Sequence, residues 1–155
     1  MSRREKAKPE SIELVAYLKQ FKHDFCVLEH CDIILSVSRR ERIVFDRSQL
    51  EQVLIILCEN ALQHGRDNTG KVKITISIKH DDHLIKLIVC DTGPGVPEAI
   101  RDSIFDPFFS TLKNGNGMGL FIAKDLCEIN QARLSLAESK QGCCFSISLS
   151  QSDEL

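Results

Sequence analysis

Apolar residues recur at three- and four-residue steps from Pro9 to about Leu28, at Ile12, Val15, Leu18, Phe21 and Phe25. That period predicts an amphipathic helix, with Pro9 tolerated near its first turn. "DIILSV" and "RIVF" read as two short strands, joined as a hairpin across "SRRE". A second helix is predicted over Arg47 to His64. Its core face is Leu50, Val53, Leu54, Leu57 and Ala61, its start is capped by Asp46 with Gln49 or Ser48 with Glu51, and Gly65 stops it. In "KVKITISIK" the pattern changes to strict alternation, which sends Val72, Ile74, Ile76 and Ile78 to one side of a strand. "HLIKLIVCD" is the next strand, after a turn at "HDDH". A short helix follows around Pro97 to Ile104, then a glycine-rich loop, then a helix from about Met118 to Ile129. "ARLSLAES" and "CCFSISLS" close the chain as a hairpin around Gln141 and Gly142. The order α-β-β-α-β-β-α-loop-α-β-β predicts one mixed sheet with helices on one face.

Composition narrows the class without naming a function. The 155 residues suit one domain, with 43% apolar residues and a formal charge of −2. Such a balance carries no nucleic-acid footprint, and the local patch of Arg39, Arg40 and Arg42 reads as a solvated strand end. The seven cysteines include no Cys-x-x-Cys pair, which argues against zinc or a disulfide framework. They are expected to be buried, reduced thiols in a reducing compartment. No apolar run approaches the ~18 residues of a membrane span. The charged opening "MSRREKAKPE" has no apolar stretch behind it, so it is read as a linker over 1–8 and not as a signal peptide. The domain then runs over 9–150, with a tail at 151–155.

Candidate chemistry concentrates at a few positions. Asp91 continues the strand face of Ile85, Leu87 and Val89, which sets a carboxylate at the edge of the core. An unpartnered buried carboxylate costs several kcal/mol, so it needs donors. The backbone amides of the following "TGPG" would make it a turn cap, and a ligand's exocyclic amine would make it a binding residue. Asn60 lies inside the second helix, where Asn is a poor choice because its amide competes with the backbone. Gln63 and His64 follow on the same side. That polar strip either meets solvent or offers an amide oxygen to a hard cation such as Mg²⁺, and His64 is read as a helix-end residue before a metal ligand. Between "DTGPGVP" and "NGNGMGL" lies "IFDPFFSTLK". Its Phe105, Phe108 and Phe109 are candidates to anchor the loop by burying their rings. The second glycine cluster leads into a helix N-terminus, where exposed amides favour anions.

Standard nucleotide signatures fail. There is no G-x-x-x-x-G-K-[ST], the spacing G-x-G-x-G late in the chain does not suit a dinucleotide site, and H-R-D and D-F-G are absent. Taken in order, however, "LCENALQHG", "DTGPGVP", "FDPFFST" and "GNGMGL" resemble the asparagine, first glycine, phenylalanine and second glycine boxes of the catalytic ATP-binding domain of two-component sensor histidine kinases. That family belongs to the group containing gyrase B, Hsp90 and MutL. The resemblance covers about Phe45 to Leu149.

It implies an α/β (α+β) two-layer sandwich of Bergerat type: a mixed, largely antiparallel sheet covered on one face by about three helices, with a Gly-rich ATP lid. It implies ATP and Mg²⁺ as cofactors, with Asp91 accepting from the adenine amino group and Asn60 helping to hold Mg²⁺. Gly93, Gly95 and Val96 would shape the adenine turn, and Gln63 and His64 would lie near the nucleotide. Phe109, Thr111 and Lys113 belong to the phenylalanine box and the residues after it. Gly115, Gly117 and Gly119 would form the lid, with amides near Met118 to Leu120 meeting the phosphates. The implied activity is donation of the γ-phosphoryl group to a histidine on a separate dimerisation and phosphoacceptor domain, which in turn serves a response regulator. The alternative is a degenerate nucleotide sensor without transfer. None of His23, His30, His64, His80 or His83 has the family's acceptor context, so the acceptor is expected elsewhere. No catalytic acid or base is expected in this chain, because Ile56 stands where hydrolysing relatives carry Glu. Two further departures are Gln63, where Lys is frequent, and Leu112, which displaces the usual Lys to Lys113. The domain is expected to be monomeric, cytoplasmic and free of membrane contact, as part of a membrane-anchored sensor.

Overall fold

The computed structural model describes residues 6–37, 39–81, 83–109, 117–139 and 141–150. The predicted tail at 151–155 and the first five residues of the predicted linker lie outside them. Four strands form most of the larger sheet. These are β4 (Ile74–Asp81), β5 (Leu84–Cys90), β6 (Arg133–Ala137) and β7 (Cys144–Ser150), with β2 (Ile33–Ser36) added at one edge in the order β2-β4-β5-β7-β6. The pair β2–β4 is parallel and the other three are antiparallel, so the sheet is mixed and largely antiparallel, as expected.

Register and parity decide which face is covered. Val89 pairs with Ile76 and Phe145, Leu87 with Ile147, and Ile85 with Leu149. These residues join one core with Leu18, Phe21 and Phe25 of α1 (Leu14–Glu29), Leu50, Val53, Leu54, Leu57 and Ala61 of α2 (Arg47–His64), and Ala123 and Cys127 of α3 (Gly119–Ile129). Their neighbours of opposite parity include Thr75, Ser77, Lys79, Lys86 and Ser148. The result, among the described residues, is two layers with three α-helices on one side.

α2 occupies the predicted range. Asp46 Oδ1 accepts from the Gln49 amide at 3.0 Å, and the Gly65 amide closes the helix on the Ala61 carbonyl at 2.7 Å. The return half of the capping box comes from elsewhere. Asn130 at the end of α3 accepts from the Asp46 amide at 2.9 Å and donates to Gln49 Oε1 at 2.7 Å. A 9%-exposed amide therefore ties the start of α2 to the end of α3, its NH₂ also donating to the Leu126 carbonyl at 2.8 Å.

Four expectations need correction. The first helix starts at Leu14 and not near Pro9, because Glu10–Glu13 form β1, paired antiparallel with β3 (Arg42–Phe45). Ile12 continues the helical spacing by coincidence and is buried from a strand. "DIILSV" and "RIVF" do not form a hairpin: β3 pairs with β1 in a separate two-stranded sheet, while β2 lies parallel to β4. The predicted short helix is a 3-10 turn over Glu98–Ser103. Finally, the thiols are not all reduced. Cys90 and Cys144 face each other across β5 and β7 and are bonded, leaving five free cysteines. Facing positions across a strand pair bring side chains together whatever their separation in sequence, here 54 residues.

Candidate nucleotide site

Asp91 is the first residue past β5 and is 7% exposed, as strand parity predicts. Two backbone amides converge on its Oδ1: Gly93 at 2.9 Å, which closes the turn, and Cys143 at 3.1 Å, from the chain just before β7. The Asp91 amide answers by donating to the Cys143 carbonyl at 2.9 Å. The turn cap anticipated from "TGPG" therefore exists, and a second donor arrives from across the sheet. Among the described residues both donors fall on Oδ1, and Oδ2 is the oxygen with capacity left for an incoming donor.

The walls around this carboxylate are built from missing side chains. A Cβ on Gly65 would lie 2.6 Å from the Asp91 Cβ and Cγ, and one on Gly93 would lie 2.6 Å from the Gly65 Cα. A Cβ on Gly142, whose φ is +78°, would lie 2.0 Å from the Asp91 carbonyl oxygen. No real Cβ tolerates such distances, so Asp91 is packed directly against the backbone of Gly65 and Gly142, and Gly93 closes against Gly65. Gly95 (φ +81°) lies over the Gly142 carbonyl, and the half-buried Val96 packs against the core. Gly65 and Gly142 were missed as site residues. The sequence marks both as ordinary punctuation, a helix stop and a hairpin turn, and nothing local shows that they meet Asp91.

The second half of the site lies along α2. The end of α2 abuts the Asp91 turn, since a Cβ on Gly93 would also come within 2.8 Å of the His64 carbonyl. Two turns earlier, Ile56 meets the start of α3, with its Cγ2 3.5 Å from where a Gly119 Cβ would be. Residues four apart line one helix face, so Asn60 stands between these contacts on the line from Ile56 to His64. Asn60 is half-buried, while Gln63 and His64 are exposed. One helix thus links the Asp91 turn to the N-terminus of α3, with an amide between.

α3 begins at Gly119 without a side-chain cap at Met118, and Leu120 packs into the core. First-turn amides and the helix dipole make a helix N-terminus receptive to anions. Gly117 (φ +70°) is held against the backbone of Phe108, where its Cβ would come within 2.2 Å of the carbonyl carbon. The three phenylalanines behave differently from one another. Phe105 packs edge-on to Phe145 at 6.0 Å and Phe109 is half-buried against the core, but Phe108 is 79% exposed with φ +66°. The expectation that Phe108 buries its ring is therefore wrong; its backbone supports Gly117 instead. Thr111, Lys113 and Gly115 lie outside the described residues. No group of three or more His, Cys, Asp or Glu capable of holding a metal occurs among the described residues. A cation here would rest on Asn60 with oxygens from a ligand and water, a donor set that suits Mg²⁺ and not a soft metal.

Comparison with known proteins agrees with this geometry. The model of the family described as histidine kinase-, DNA gyrase B-, and HSP90-like ATPase matches residues 45–153. Sensor protein kinase PilS of Pseudomonas aeruginosa is 32% identical over 161 residues, spanning 100% of this chain and 30% of that protein. The chain therefore spans under a third of the length of this curated relative. Among solved structures, the catalytic domain of histidine kinase ThkA superposes with a TM-score of 0.77 at 23% identity, covering 93% of this chain and 96% of that one. Full-length ShkA in complex with AMPPNP superposes with a TM-score of 0.80 at 23% identity, covering 94% of this chain and 32% of that one. At such identity these two speak for the fold.

Proposed function

The chain belongs to the histidine kinase-, DNA gyrase B-, and HSP90-like ATPase family, and on that premise we propose that it binds Mg-ATP and presents it for phosphoryl transfer to a histidine on a separate helical domain. The observation that carries the reading is the Asp91 carboxylate, buried against Gly65 and Gly142 with both of its donors among the described residues on Oδ1. A carboxylate held this way has one oxygen poised for an external N–H, which the exocyclic amine of adenine supplies. Gly93, Gly95 and Val96 form the turn over which the base would lie.

Asn60 would hold Mg²⁺ through its amide oxygen, and the first-turn amides of α3, from Gly119 and Leu120, would bind phosphate oxygens. Gln63 and His64 would lie near the nucleotide, and Thr111, Lys113 and Gly115 are assigned to the site by their place in the boxes. Bound ATP supplies the γ-phosphoryl group, and Mg²⁺ supplies charge neutralisation. This chain's own residues bind and orient. Ile56 lies beside Gly119 at the phosphate end and cannot abstract a proton from water, so hydrolysis by the domain alone is slow. The acceptor histidine, the response regulator downstream and a cytoplasmic location on a membrane-anchored sensor complete the reading. Among the described residues no helix is long and apolar enough to cross a membrane.

The test is calorimetric titration with ADP and a non-hydrolysable ATP analogue, with and without Mg²⁺, followed by addition of a histidine-bearing dimerisation domain from the parent protein. Saturable binding strengthened by Mg²⁺, then phosphohistidine formation with ATP, is the expected result. A folded chain that binds neither nucleotide would end the reading. Binding without transfer would leave a nucleotide sensor.

A further inference from the structure

The bond between Cys90 and Cys144 closes the last residue pair of the β5–β7 ladder, and the next pair along both strands is Asp91 and Cys143. That pair holds the site together: the Asp91 amide meets the Cys143 carbonyl at 2.9 Å, and the Cys143 amide meets Asp91 Oδ1 at 3.1 Å. β5 ends at Cys90 and β7 begins at Cys144, so beyond the disulfide these two hydrogen bonds continue the pairing toward Gly142 among the described residues. Hydrogen bonds at a ladder's end open most easily, and a covalent link one residue away suppresses that opening.

We propose that Cys90 and Cys144 form a reversible thiol–disulfide site that sets the order of the Asp91 turn and, through it, the affinity for nucleotide; the second half of this statement rests on the adenine reading above. The bond is placed for exchange. Val89 and Phe145 on either side point into the core, so Cys90 and Cys144 lie on the opposite face of the sheet, and Cys90 is half-buried, within reach of a small thiol. Cys143, adjacent in sequence, has the other parity and is buried, with its thiol pushed up to about 12 by burial and then by the charge of Asp91. It stays protonated and does not compete for the bond, because the thiolate is the nucleophile in exchange.

The chemistry balances with a low-molecular-weight thiol as reductant. One thiolate attacks a sulfur of the bond, forming a mixed disulfide and releasing one cysteine. A second thiol resolves that intermediate, so two thiols become one small disulfide and deliver two electrons and two protons to Cys90 and Cys144. A small-molecule disulfide reverses the sequence.

The experiment compares the chain after equilibration with a small disulfide and after equilibration with a dithiol reductant. Thiols are counted by alkylation under denaturing conditions, amide hydrogen exchange is followed at Gly93 and Cys143 without nucleotide, and ADP affinity is measured by calorimetry. Five free thiols are expected after oxidation and seven after reduction. Reduction should speed exchange at the two amides about tenfold or more and weaken ADP about five- to tenfold by the cost of re-ordering the turn. The double variant Cys90→Ser with Cys144→Ser should behave as the reduced chain under both conditions, and if it does not fold, the two redox states of the unaltered chain suffice. Seven thiols under both conditions would overturn the proposal. So would equal exchange and equal ADP affinity in the two states, which would leave the nucleotide reading standing. Absence of ADP binding in both states would end the nucleotide reading, and the exchange rates would then decide the coupling by themselves: faster on reduction upholds it, unchanged overturns it.

Discussion

The two ends of the candidate site are built from different materials. At the Asp91 end, a buried carboxylate accepts from two backbone amides and packs against Gly65 and Gly142, with Gly93 closing against Gly65. At the α2–α3 end, the candidate groups are the half-buried Asn60, the exposed Gln63 and His64, and the start of α3. Backbone packed to van der Waals contact leaves no room to adapt, so the first end should respond to substitution by failing. Solvated side chains that bind through water and a mobile ion should respond by degrees. Under the proposed reading, the difference would give specificity to the Asp91 end and strength tuning to the other.

The sharpest way to break that contrast is Asp91→Asn. The two amides that now point at Oδ1 will keep the amide oxygen of Asn on their side, which turns its NH₂ outward. A donor then faces the donor of adenine, and the loss should reach on the order of 100-fold in ADP affinity, the scale of one charge-assisted hydrogen bond replaced by a mismatch. Calorimetry checks it, and a folded variant that retains affinity within tenfold would remove Asp91 from the adenine contact. Next in size is Gly142→Ala. Its methyl would overlap the Asp91 carbonyl oxygen at a φ of +78°, so the turn must move. The expected cost is about 2–4 kcal/mol of stability in denaturant unfolding, with affinity weakened about 30-fold in the molecules that remain folded.

How far the chain could be read beforehand follows the same division. α2 was legible to the residue because helical period, Asp46 and Gly65 all act locally. Asp91 was legible as a buried carboxylate because strand parity is local too. Its partners were not, since the Cys143 amide lies 52 residues away and arrives only through the β5–β7 register. The same non-locality explains the other misreadings. Ser11 pairs with Val44 and Ile33 with Ile74, contacts that no window of a dozen residues contains. The Cys90–Cys144 bond is a third instance. The four boxes were legible as an ordered set, but nothing in them distinguishes Phe108, which turns outward, from Phe105, which turns in.

At the α2–α3 end, Asn60→Ala should act through the cation alone. ADP affinity without Mg²⁺ is expected to stay within about twofold, while the strengthening by Mg²⁺ falls about tenfold, the cost of one oxygen ligand that water replaces in part. Thermal stability should change little, since Asn60 is half-buried on a helix where Ala is the better former. An equal loss with and without Mg²⁺ would instead make Asn60 a direct contact to the nucleotide, and the two ends would then differ less than their structures suggest.

The smallest effect concerns how dry the Asp91 end is. Burial, aided by the charge of Asp91, pushes the Cys143 thiol from about 9 up to about 12. The sign follows from proton counting. Below pH 9 the folded and unfolded chains both keep this proton, so its contribution to stability is fully present. Between about pH 9 and 12 the unfolded chain releases the proton while the folded chain holds it, and stability falls as pH rises. By pH 10 the loss assignable to Cys143 should be about 1 kcal/mol. Other groups titrate in the same range, so the measurement is the difference in denaturant midpoint between the unaltered chain and Cys143→Ala at pH 8 and pH 10. The unaltered chain should lose more stability than the variant across that interval. Equal losses would mean that water reaches the Cys143 thiol, and that the carboxylate beside it is less sealed than its glycine walls imply.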